Sequence, residues 1–140
     1  GGGGGAGSSG IQPQGGSGFL SVSPNGGQGL DLSSKFTTNV GLNGRFAGGG
    51  GGGTEGQRDA QNNTGFTRIQ GFDGGGNGGL IEANTSLPTY GDGYNQEDGE
   101  DAIDNTGGGG GGAGFSSNRT TVGGSGGDGI VIIRYPLEAV

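Results

Sequence analysis

The chain has 140 residues, enough for one domain, and 44 of them are glycine, with a net charge of −7. Six scattered Lys and Arg argue against nucleic acid as a partner, because phosphates must be met by cations. The absence of Cys, His, Met and Trp excludes a disulfide framework, a thiolate metal site and any triad built on His or Cys.

Read in chain order, glycine-dense tracts recur at 1–7, 15–18, 26–29, 48–53, 74–79, 107–114 and 123–129, separated by runs of Asn, Thr, Ser, Gln and Asp. Their spacing is irregular, which rejects a fixed-period solenoid. Collagen is rejected by the unbroken Gly48–Gly53 run and by a content of only 4 Pro. Short strands are predicted at Phe19–Ser23, Lys35–Val40, Phe66–Ile69, Gly79–Glu82 and Gly129–Tyr135. The last is the strongest, with β-branched residues in a row between Gly129 and Pro136, and its continuous apolar run reads as a strand covered on both faces. No window repeats apolar residues at the helical period, and glycine inside a helix costs about 1 kcal/mol each. The predicted fold class is therefore mainly β and irregular, essentially without α-helix: short strands joined by polyproline-II-like polyglycine segments. No stretch approaches the ~20 apolar residues of a membrane span. A start inside a glycine run, without Met, suggests part or a processed form of a longer chain.

Glycine has no Cβ, so backbones carrying it approach closely, and it readily adopts the extended threefold helix that makes no internal hydrogen bonds. Such rods must satisfy their N–H and C=O groups on neighbours. Packed rods, rather than flexible linkers, are expected, with main-chain pairing and neighbouring subunits supplying the cohesion that a thin apolar core cannot. Gly48, Gly53, Gly107 and Gly112, at the ends of two tracts, and Ile130, Val131, Ile132 and Ile133 are the expected assembly residues, with further copies of the chain as partners.

The stretch "NTGGGGGGAG" at 105–114 followed by "GGSGGDGIVIIRY" at 123–135 resembles the end of the glycine-rich domain of bacteriophage tail-fibre and virion-associated proteins, and of related bacterial surface proteins. The opening "GGGGGAG" and the internal "RFAGGGGGGTEG" at 45–56 look like earlier tracts of that family. The resemblance implies a single glycine-rich domain over 1–140, in an extracellular or virion-surface setting. The strand that family members carry before the first tract is missing, and the 84–104 insert is unusually acidic.

That insert, "YGDGYNQEDGEDAID" over 90–104, is rich in oxygen donors. Calcium takes 6–8 such ligands, so Asp98, Glu100 and Asp101 are the candidate Ca²⁺ ligands, against the simpler reading of a solvated acidic loop. The spacing departs from the EF-hand, and no other cofactor is indicated. Tyr90 and Tyr94, flanking Asp92, form a candidate receptor-facing patch, since flat rings beside amides and carboxylates suit carbohydrate; the alternative is that the rings pack on glycine backbone. Paired carboxylates could in principle hydrolyse glycosides, but this frame offers few side chains to build a pocket, and no enzyme is expected. The GxGxxG matches lack any βαβ context.

The expected function is a non-enzymatic structural and adhesive module of a tail fibre or another extracellular fibre. Glycine tracts would pair copies, and exposed loops at 54–72 and 84–104 would meet a bacterial surface glycan or protein. The alternative is a repeating subunit of a self-assembling extracellular filament with no receptor.

Overall fold

The computed structural model describes residues 2–12, 25–36, 39–53, 68–81, 96–116 and 119–136. Among them there is no helix. Six two-residue strands form three antiparallel pairs: β1 (Leu30–Asp31) with β2 (Arg45–Phe46), β3 (Leu80–Ile81) with β4 (Gln96–Glu97), and β5 (Phe115–Ser116) with β6 (Arg119–Thr120). Leu30 faces Phe46, Leu80 faces Glu97, and Phe115 faces Thr120 across these pairs. The architecture is mainly β and irregular, as the composition requires.

Between these short pairs the glycine segments lie side by side, and their hydrogen bonds advance in steps of three residues. Gly76 and Gly79 donate to Gly109 and Gly112, and Gly109 and Gly112 donate in turn to Gly48 and Gly51. Gly124 and Gly127 donate to Gly111 and Gly108, so that pair of segments runs antiparallel. A three-residue register is what a threefold extended helix produces, because every third peptide group points the same way. Parallel and antiparallel neighbours both occur, since a rod without side chains makes bonds in either direction.

Segment 47–53 sits at the centre of the bundle. It bonds to 2–7 through Gly3 and Ala6, to 25–29 through Gly27, to 68–72 through Phe72, to 74–79 through Gly76 and to 107–112 through Gly109 and Gly112. Gly48 through Gly52 are buried. A Cβ built on Gly48, Gly49, Gly50 or Gly51 would meet a carbonyl oxygen of another segment at well under 3.0 Å, closer than real Cβ atoms come. Glycine here is a steric requirement. The apolar core among the described residues is correspondingly small: Ile69, Leu80, Ile81 and Ala102.

Among the described residues, Gly129–Tyr135 and the described parts of Lys35–Val40 and Phe66–Ile69 are not formed as strands. Gly129–Tyr135, predicted to be covered on both faces, has no strand partner, and Val131 is 88 % and Ile133 80 % exposed. The β-forming pattern is real, but the neighbouring 107–112 segment is already bonded as far as Gly107 to Asp128. Among the described residues no backbone bond joins Ile130–Tyr135 to another segment, its Arg134 Nη1 reaching only the Lys35 carbonyl at 3.3 Å. The described part of Lys35–Val40 is turn and bend: Lys35 and Phe36 both donate to Leu32, and Gly44 donates to Val40. Left-handed backbone at Gly41, Asn43 and Gly44 turns this region back on itself. Within Gly79–Glu82, Leu80–Ile81 form β3, and Glu82 lies outside the described residues. Within Phe66–Ile69, the described Arg68 and Ile69 have no strand pairing. Phe19–Ser23 lies outside the described residues.

Candidate functional site

The two ends of the bundle differ. All the described residues with left-handed φ, namely Gly41, Asn43, Gly44, Ala47, Asp73, Gly74, Asn105 and Gly107, belong to tight connections at one end. They are brought together by Ala47 donating to Thr106 and by the contact of Gly74 with Thr106. Arg45 is the ionic clasp of this turn end. It pairs with Asp31 at 3.2 Å and with Asp73 at 3.3 Å, while Asp73 also accepts the Gly29 amide at 2.9 Å. The Asp31 carboxyl is held below its ordinary pKa by hydrogen bonds from Ser33, with the Arg45 guanidinium adding to the effect.

The opposite end gathers the residues that flank the long sequence inserts. Gly78 donates to Ile69, the Arg68 Nε donates to the Gly78 carbonyl at 3.1 Å, and a Cβ on Gly78 would strike Gly52. Ile11 donates to Asn25, and Gly26 donates to Gln70. Gly53 abuts Ala113, and Ile81 faces Gln96 across the β3–β4 pair. The residues flanking 13–24, 54–67 and 82–95 therefore meet at one end, together with the β5–β6 hairpin. Tyr90, Asp92 and Tyr94 belong to 82–95 and lie outside the described residues, so the flanking residues place that segment's attachment only.

Arg68 ties this end together. Its Nη1 lies 2.5 Å from Glu100 Oε1 and 3.4 Å from Glu97 Oε2, and its Nη2 donates to the Asp98 carbonyl. The second Glu100 oxygen accepts from Asn77 Nδ2 at 2.6 Å, and Asn77 Oδ1 accepts the Gly71 amide at 3.1 Å. One guanidinium fork thus joins segments 68–72, 74–79 and 96–104.

The acidic run is a structural element. Asp98, Asp101 and Asp104 recur every third residue, and their Oδ1 atoms accept the backbone amides of Val122, Ser125 and Asp128 at 2.8, 2.6 and 3.4 Å. Gly99 and Ala102 donate back to the carbonyls of Val122 and Ser125. The candidate Ca²⁺ ligands are therefore divided: Asp98 and Asp101 face segment 121–129, whereas Glu100 faces Arg68 and Asn77. Among the described residues no group of three or more acidic side chains comes together to hold a metal ion. Of the loops expected at 54–72 and 84–104, the described residues 68–72 and 96–104 are parts of the bundle, fixed by these bonds, and the rest of 54–72 and residues 84–95 lie outside the described residues. The Asp-x-x-Asp-x-x-Asp spacing was visible in the sequence, and it matches the rod period.

The assembly residues fall into two groups. Gly48 accepts from Gly109, Gly112 donates to Gly51, Gly107 donates to Asp128, and Gly53 abuts Ala113. At Gly48, Gly107 and Gly112 main-chain pairing is made within one chain, because the chain supplies enough tracts to surround its own central rod. The Ile130–Ile133 run, in contrast, has no backbone bond among the described residues. Two buried threonines bracket the 107–114 segment: Thr106 Oγ1 accepts from Gly108 at 3.1 Å and Thr121 Oγ1 from Gly114 at 2.6 Å. Among the described residues no helix is long and apolar enough to cross a membrane.

A family model described as a glycine-rich domain matches residues 1–136. No curated protein and no solved structure matches the chain. The match spans nearly the whole chain, which belongs to the glycine-rich domain family.

Proposed function

We propose that this member of the glycine-rich domain family is a non-enzymatic adhesive and structural module of a phage tail fibre or another extracellular fibre. It works at the virion or cell exterior. The bundle is the rigid part, and the 54–67 and 82–95 segments are the recognition part, meeting a bacterial surface glycan or protein. The observation that carries this reading is the convergence of the flanking residues Gly53, Arg68, Ile81 and Gln96 at one end of a bundle held by main-chain bonds. Attachment points held together on a stiff frame suit a binding surface at little entropic cost, since binding residues are commonly carried on connections between rigid elements.

The test is binding of the purified chain to bacterial cells or to arrayed surface glycans. Exchanging both segments for those of another family member should change which cells are bound. Unchanged host choice after a double exchange would remove the adhesive reading.

A second reading, a repeating filament subunit without a receptor, is favoured by one observation: the exposed apolar run from Ile130 to Tyr135. Electron microscopy separates the two, since a polymer with a helical repeat supports the filament and discrete particles support the fibre module.

A further inference from the structure

Segment 121–129 has the three faces of a threefold rod, and each face has a different fate. Val122, Ser125 and Asp128 give their amides to the three aspartates of 98–104. Gly124 and Gly127 donate to Gly111 and Gly108, and a Cβ at either would strike the backbone of 98–104. Gly123, Gly126 and Gly129 form the third face. They are exposed, and their N–H and C=O groups have no hydrogen-bond partner among the described residues.

Nothing in the chain requires glycine at the outer part of that face. A Cβ on Gly126 would come no nearer than 3.5 Å to any neighbour, and one on Gly129 would meet nothing within 4 Å. At Gly123 the nearest atom is 3.2 Å away, a tight but adjustable approach. Glycine is the residue most costly to order, so bare positions that the fold does not need call for another cause. Elsewhere in this molecule a bare row at three-residue spacing is met by another bare rod, as Gly109 and Gly112 meet Gly48 and Gly51. Just beyond the row come Val131, Ile133 and Tyr135, exposed by 88, 80 and 72 %.

We infer that the edge from Gly123 to Tyr135 docks a second copy of this chain, laid against the same edge of its partner. Each residue of the row offers both a donor and an acceptor, so the edge is complementary to itself, and a twofold arrangement covers both apolar runs at once. The inference rests on self-association of the chain and does not depend on the receptor-binding reading; because a twofold pair is closed, a dimer formed this way counts against the helical filament.

The experiment compares the wild-type chain with Gly126→Val/Gly129→Val and with Ile133→Asp, by light scattering across a concentration series. Wild type should form a dimer, and each variant should associate about tenfold more weakly or worse while retaining its thermal transition. A wild type that stays monomeric throughout overturns the inference and leaves host binding to be judged by the segment exchange. Undiminished association of a folded Gly126→Val/Gly129→Val chain overturns the edge while leaving self-assembly standing. Should a variant fail to fold, amide exchange on the wild type decides: protection of Gly123, Gly126 and Gly129 that rises with concentration is expected, and its absence overturns the inference.

Discussion

The Asp101 carboxylate accepts the Ser125 backbone amide at 2.6 Å, while the amide of the next residue, Ala102, donates to the Ser125 carbonyl at 2.9 Å. Asp98 and Gly99 hold Val122 in the same two-point manner, three residues earlier. Side chain and backbone of one rod thus alternate as partners for the next. Asp101→Ala should cost about 1 kcal/mol, with Asp101→Asn losing less because an acceptor oxygen remains. Hydrogen exchange at Ser125 should accelerate in the Ala variant and change less in the Asn variant. Equal exchange in all three proteins would show that the bond contributes nothing.

Glycines in the bundle centre and on its rim should respond in opposite ways to a single methyl group. Gly50→Ala and Gly111→Ala place a Cβ against the carbonyls of Gly110 and Asn77, and each should destabilise by about 3 kcal/mol or more, since the obstacle is backbone. Gly4→Ala and Gly126→Ala meet no atom closer than 3.5 Å and should be neutral or stabilising by about 0.5 kcal/mol through the unfolded state. Denaturant titration of the four variants measures the contrast.

Arg68 and Glu100 should be energetically coupled. Their ion pair is accompanied by bonds from Arg68 to the Gly78 and Asp98 carbonyls and from Asn77 to Glu100. Glu100→Ala should cost about 1–2 kcal/mol. Arg68→Lys should lose most of the same amount, because an ammonium does not reproduce the fork. A double-mutant cycle on Arg68 and Glu100 should give a coupling above about 0.5 kcal/mol, and a cycle near zero would show that the pair is not a clasp.

Acid should loosen the turn end through Asp31. Its folded pKa lies below the ordinary value of 3.8, so its contribution is fully present above that value. The contribution is lost as pH falls through the lower folded value. Carboxyl-carbon NMR should show Asp31 titrating below 3.8, and Ser33→Ala should move the midpoint back toward it. Because the group is exposed, the accompanying change in overall stability should be small.

Some of this architecture is legible from residue types alone. With 44 glycines and no helical periodicity, the chain has only extended backbone available, and rods without side chains must bond to other rods. The existence of threefold segments follows from chemistry that each residue carries with it. The β-forming character of Ile130–Ile133 is equally local, and it survives in the structure as a largely exposed run without a backbone partner among the described residues.

Which rod lies beside which could not be read, because one glycine tract looks like another and the bonds form in either direction. The choice of 47–53 as the central rod depends on the whole bundle. So does the conversion of an acidic stretch from loop to ladder: Asp98, Asp101 and Asp104 become acceptors only once a second rod of the same period is laid alongside in register. Local composition determined the kind of backbone, because conformational preference belongs to single residues. Tertiary packing alone decided the neighbours, because a bare peptide group has no side chain with which to discriminate among partners.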